Sequence, residues 1–198
     1  MYTSRMACKL TYPFQDLERT YLIRTLQGIS HNKSMRMTFL SGSVNVSGAG
    51  LVHDPAHPSD HKTMYQLISS PIVNAPSPAY VIKFLHNNKP LYIPANGHRS
   101  TPSVPTDTKE DMMEIFAADV DGRPRELRRL MGRRSYLAMV AYDPEVVQGS
   151  FGNVTPGQGS GRLSLAADFM IQGVDNMTGG GQPLKYGPVV IPSLDYGR

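Results

Sequence analysis

Two apolar segments in the last third of the chain, residues 135–142 and 162–172, read as strands, and they flank the glycine-rich segment 149–161. Alternation with the period of two that a strand requires runs through residues 34–46. There Met35, Met37 and Phe39 fall on one side and Arg36, Thr38 and Leu40 on the other, before a bend at Ser41-Gly42-Ser43. Residues 62–69 and 80–86 read as two further β segments separated by Pro71, Pro76 and Pro78. Asn87-Asn88 signals a turn, and Leu91-Tyr92-Ile93, closed in by Pro90 and Pro94, is short enough only for an edge strand. Residues 48–61 are expected as a loop because Gly48, Gly50, Pro55 and Pro58 punctuate them, and residues 95–105 as another.

Helical spacing is confined to three places. Behind Pro13, Leu17 and Tyr21 fit a short amphipathic helix over residues 14–27, although Tyr21-Leu22-Ile23 fits a strand equally well. Asp107 followed by Glu110 resembles a capping box, and Met112, Met113, Phe116 and Val120 then form one apolar stripe, which predicts a helix over residues 109–120. Pro124 opens a second short helix that runs to Met131 and stops at Gly132. The pattern predicts a mainly β fold, an antiparallel β-sandwich of jelly-roll type with one or two short helices inserted at 107–131. No internal repeat interrupts it.

Composition narrows this picture. The 198 residues, 40% hydrophobic and 18% charged, suffice for one sizeable core, and a single domain over 1–198 is expected. The 18 glycines and 16 prolines are spread along the chain, as turns between short strands require. The lone cysteine, Cys8, permits neither an intrachain disulfide nor a zinc site built on cysteine pairs. No signal-like or membrane-spanning apolar run occurs, so a soluble protein of a reducing compartment with no membrane contact is expected.

The net charge of +4 matters less than its placement. Within twelve residues stand Arg123, Arg125, Arg128, Arg129, Arg133 and Arg134, opposed only by Glu126. Guanidinium groups at this density offer bidentate contacts to phosphate, which makes RNA or DNA the natural partner. The bland alternative is a solvated face whose arginines pair with Asp119, Asp121 or a neighbouring subunit.

A second cluster, His53, Asp54, His57, Asp60 and His61, supplies residue types that bind transition metals. Pro55 and Pro58 break the helix that would align its histidines, and the His-Glu-x-x-His motif is absent, so a polar surface loop is the plainer reading. No Gly-x-Ser-x-Gly elbow occurs, and the runs Gly157-Gln158-Gly159-Ser160-Gly161 and Gly179-Gly180-Gly181 lack the ending of a phosphate loop. Neither a catalytic residue nor a cofactor is expected.

Residues 135–172, with their strand, Asp143-Pro144, Gly/Ser/Gln-rich loop and second strand, resemble the closing strands of jelly-roll coat proteins from small icosahedral viruses. That resemblance implies a structural, self-assembling virion protein made as a soluble cytoplasmic chain. It would act as a homo-oligomer of many copies, with other shell subunits and packaged nucleic acid as further partners. Residues 177–198, where Pro183, Pro188 and Pro192 punctuate Tyr186, Val189, Val190 and Ile191, would be an extended C-terminal arm. One departure is the N-terminus, which carries only Arg5, Lys9, Arg19 and Arg24 as basic residues before position 27 where many such coats have a strongly basic arm. The alternatives are a small non-assembling nucleic-acid-binding or accessory β-domain and a metal-dependent enzyme centred on His53, His57 and His61.

Overall fold

The computed structural model describes residues 13–43, 45–73, 75–87, 89–95, 100–144, 162–173 and 182–194. Cys8, the glycine-rich segment 149–161 and the Gly179–Gly181 run lie outside the described residues. In chain order the elements are α1 (Pro13–Lys33), β1 (Met37–Gly42), β2 (Ser47–His53), β3 (Met64–Ser69), α2 (Ala79–His86) and β4 (Leu91–Tyr92). Then follow β5 (Lys109–Met112), β6 (Leu130–Met131), β7 (Ser135–Tyr142), β8 (Ser164–Ile171) and β9 (Leu184–Ile191).

The fold is mainly β, as the sequence pattern predicts, with two sheets and two helices of more than one turn among the described residues. The larger sheet has the order β1-β3-β2-β5-β4, with β6 beside β2; β1 and β3 run parallel and the other pairs antiparallel. The smaller sheet is the antiparallel set β7-β8-β9. Within the segment expected as an extended arm, Leu184–Ile191 pairs with β8 as β9.

Successive residues of a strand point to opposite faces, and β3 shows what each face buries. Leu67 joins Ala49, Phe116, Ala167, Phe169, Ile171, Val189 and Ile191 between the two sheets. Its neighbour Ile68 joins Ile82 and Leu85 of α2, while Met64 meets Ile23 of α1. The helices therefore cover one face of the larger sheet and the smaller sheet covers the other. Each large apolar side chain fully buried in these clusters contributes roughly 1.5–3 kcal/mol.

The same logic corrects the expectations at residues 109–131 and 80–86 and decides the open one at 14–27. No helix occupies residues 109–131. Met112 packs on the α2 side and Met113 on the inter-sheet side, and Leu130 and Met131 divide in the same way. Adjacent residues buried on opposite faces require an extended backbone, so the stripe that looked helical becomes β5, β6 and irregular chain. Conversely, residues 80–86 are helical because Ile82 and Leu85, one helical turn apart, enter a single cluster. The strand-like reading of Tyr21-Leu22-Ile23 yields to a helix that continues to Lys33.

Residues 48–53, expected as loop, form most of β2, which pairs with β3, β5 and β6. Glycine is required there by crowding. A Cβ at Gly48 would stand 2.8 Å from Met112 Cε and 2.9 Å from Leu130 Cδ2. The glycine that looked like a turn signal is a point of close approach.

Candidate functional site

Phe116 anchors the irregular segment between β5 and β6. It is fully buried and meets Phe169 and Tyr186 edge-on, at 5.7 and 5.4 Å between ring centroids. Beyond it the chain makes a tight turn. Asp119 N donates to Arg123 O (2.7 Å), Gly122 N to Asp119 O (2.9 Å) and Arg123 N to Asp121 Oδ1 (3.0 Å), and Arg125 N closes the turn on Ala117 O (2.9 Å). Gly122 has φ +83°, a left-handed conformation that favours glycine.

This turn gathers cations around one acid. Asp119 Oδ2 lies 3.2 Å from Arg125 Nη1 and its Oδ1 lies 3.4 Å from Arg133 Nε, while Oδ1 also accepts from Val120 N (2.7 Å). Arg125 Nη2 donates to Leu130 O (3.1 Å), which holds that side chain against the backbone. Burial, reinforced by Asp119, pushes the Tyr186 phenol up, so it is a neutral hydroxyl beside the arginines.

The six arginines expected as one helical patch divide by environment. Arg129 reaches Glu114 at 3.6 Å. Arg123 is 85% exposed and, among the described residues, forms an ion pair only with Asp121, at 3.4 Å. Arg128, also exposed, donates from Nε to Arg125 O (3.2 Å) and pairs with no carboxylate among the described residues. Arg134 is half-buried, and its carbonyl accepts from Gln172 N (2.9 Å).

Arg133 is held by a hydroxyl junction that sequence reasoning missed. The buried Ser47 and Ser135 hydroxyls stand 2.6 Å apart, Ser70 N donates to both, and the Ser70 hydroxyl donates to the Arg133 carbonyl. The start of β2, the end of β3 and the start of β7 are tied together at the base of the arginine segment. Buried hydroxyls satisfied by one another hold position without adding charge.

The histidines do not converge. His53 ends β2 half-buried, and burial followed by Lys109 lowers its pKa. His57 is exposed, 3.6 Å from Asp54, and His61 packs edge-on against His31 at 4.6 Å. Arg36 clasps their loop through the carbonyls of Ser59, Asp60 and Thr63. Among the described residues, no group of three or more His, Cys, Asp or Glu side chains is arranged to hold a metal ion.

A second charged region, also missed, lies where α1 meets the loops flanking β5. Arg19 bonds Asp16 and Glu110, both at 2.6 Å. Arg24 reaches Asp107 (2.8 Å), Thr108 Oγ1 (2.9 Å) and the Ile93 carbonyl (2.9 Å), and Lys62 joins Asp54 (3.0 Å) to Asp107 (3.2 Å). Each of its cations meets at least one carboxylate.

Comparison with known proteins settles the family. The family model described as "PhoD related phosphatase" matches residues 3–198. The uncharacterized protein YGR266W of Saccharomyces cerevisiae is 27% identical over 143 residues, covering 60% of this chain and 19% of that protein, so the chain corresponds to about a fifth of its yeast relative's length. No solved structure matches. The family match overturns the coat-protein resemblance, and with it the structural, self-assembling function, the virion location and the expectation that the chain is no enzyme. What resembled a coat was the strand, glycine-rich loop and strand at 135–172, a pattern that any antiparallel sheet can carry. With a match running over nearly its whole length, the chain belongs to the PhoD related phosphatase family.

Proposed function

We propose that the protein hydrolyses phosphate esters and that the arginine segment around Asp119 receives the phosphate group. The family match over residues 3–198 carries this reading, and it favours the enzyme alternative over both non-enzymatic ones. The surroundings of Asp119 support the second part. Six arginines between 123 and 134 face four nearby acids in sequence, Glu114, Asp119, Asp121 and Glu126, so cationic charge remains in excess.

Phosphoryl transfer depends on charge neutralisation and positioning more than on covalent chemistry from the protein. Guanidinium forks suit both tasks. Arg128 has Nη donors turned to no carboxylate, Arg133 is fixed through Nε, and the neutral Tyr186 phenol can donate to a phosphoryl oxygen. Asp119 holds Arg125 and Arg133 in register before any ligand arrives. The serine junction fixes the backbone beneath Arg133.

The test is direct. The full-length protein carrying this chain is incubated with phosphomonoesters and phosphodiesters, and released phosphate or alcohol is measured against a heat-inactivated control. Turnover above control is expected, and absence of turnover across the panel contradicts the reading.

Nucleic-acid contact by the same arginines is a second reading, favoured by the exposure of Arg123 and Arg128. It predicts binding to RNA or DNA that weakens steeply with salt, with a smaller salt slope when either arginine is replaced.

A further inference from the structure

Helix α2 buries Ile82 and Leu85 against Met112 and Leu130, and turns Tyr80 and Phe84 outward, 75% and 53% exposed. Lys83 is exposed on the same outer side. The chain leading into the helix exposes Ile72 and Val73 as well.

The charged residues of α2 and of the chain on either side of it are of one sign in the sequence. From Pro71 to Ile93 the sequence contains no Asp or Glu, while Lys83 and Lys89, both exposed, fall within it. Other exposed apolar surfaces differ. On α1, Leu17, Tyr21 and Leu22 are exposed beside Glu18, and β7 exposes Tyr136, Met139 and Val140 without any charge. Among the described residues, α2 turns two aromatic rings outward beside an exposed lysine and carries no carboxylate of its own.

The helix also stands directly on the arginine segment. A side chain at Gly132 would collide with Ile82 Cδ1, and the α2 terminus brings His86 into the field of Arg129, Glu114 and Arg125. Glu114 in turn lies beside Arg129.

We propose that α2, with Ile72 and Val73, docks on the surface of an anionic phospholipid bilayer. Aromatic rings settle at the headgroup level of a membrane, and lysines beside them are drawn to negative lipid charge. Among the described residues no helix is long and apolar enough to cross a membrane. The expectation of no membrane contact was built on the lack of such a span, and a surface-lying helix needs none. The proposal concerns binding and stands independently of hydrolysis.

Its test is sedimentation of the full-length protein with vesicles of phosphatidylcholine alone and with vesicles containing phosphatidylserine. Binding to the phosphatidylserine vesicles is expected, about tenfold tighter than to neutral ones and weakened by salt. Two variants are compared, Tyr80→Ser with Phe84→Ser, and Lys83→Glu, each checked for an unchanged unfolding transition. Both are expected to lose most of the binding, and Lys83→Glu, on an exposed side chain, reports even where the double variant is destabilised. Equal binding to the two vesicle types, no binding to either, or loss only when Arg123 and Arg128 are replaced would overturn the assignment to α2.

Discussion

Two charged regions lie on this molecule, and they use their cations in opposite ways. At α1, Arg19, Arg24 and Lys62 are interleaved with Asp16, Asp54, Asp107 and Glu110, and each cation meets at least one carboxylate. Around Asp119, and among the described residues, two arginines share one acid, a third forms an ion pair only with an exposed partner, and Arg128 has no carboxylate. A balanced, half-buried network holds elements in place, because each charge withdrawn from water is compensated where it lies. An excess of cations near the surface does little for the fold and leaves donors for an anion. A dense charge cluster is therefore a functional candidate only after its internal partners have been counted.

The largest effect that separates the two regions is expected at Arg24. Replacing it with Ala removes one donor each from Asp107, Thr108 Oγ1 and the Ile93 carbonyl, which keep Lys62, Gln27 and Thr106 respectively. Stability should fall by about 1.5–3 kcal/mol, read from urea or thermal unfolding. A loss below roughly 0.5 kcal/mol, as surface substitutions show, would erase the distinction between the regions.

Lys62→Met sharpens the comparison through pH. Burial works to raise both Asp54 and Asp107, but the Ala56 N–H and Lys62 on Asp54, and Arg24 with Lys62 on Asp107, outweigh it and hold both carboxyls below their ordinary range. A depressed carboxyl contributes stability that is present above its unfolded value, about 3.9, and is lost as pH falls through the lower folded value. The protein should therefore lose stability on acidification below about pH 4. Lys62→Met should cost about 1–2 kcal/mol at neutral pH and show a shallower loss in acid. Parallel acid profiles for the two proteins would contradict the role given to Lys62.

The smallest stability effect belongs to the arginine segment. Arg123→Ala and Arg128→Ala should each stay within about 0.5 kcal/mol of wild type. A large destabilisation would mean that these arginines serve the fold.

The strands β7 and β8 were legible because each is an apolar run of eight residues flanked by turn residues, too short and too evenly apolar for an amphipathic helix, with burial that alternates in the second half of β8. β2 was hidden by Gly48 and Gly50, since a glycine required by crowding, as at Gly48, looks the same in sequence as one required by a turn. Residues 109–131 misled because Met112 next to Met113, and Leu130 next to Met131, can be read as a helical stripe or as a strand buried on both faces. Only the presence of helices on one side and a second sheet on the other decides it.

The arginine segment announced itself, yet which arginines are engaged depends on Glu114 and Asp119, outside the run. The α1 network was invisible because its partners stand 91 and 83 residues apart, as in Arg19 with Glu110 and Arg24 with Asp107. Pairing across such distances is a property of the fold, with no local pattern to betray it.

The central claim is that the arginines left in excess around Asp119 receive a phosphate ester for hydrolysis. Its most direct test is steady-state hydrolysis by the full-length protein beside an Arg123→Ala, Arg128→Ala double variant whose unfolding transition is unchanged. The predicted result is turnover by the wild type and a KM raised about tenfold in the variant, equivalent to roughly 1.4 kcal/mol of lost phosphate binding. Identical KM values, or no hydrolysis by the wild type, would contradict it.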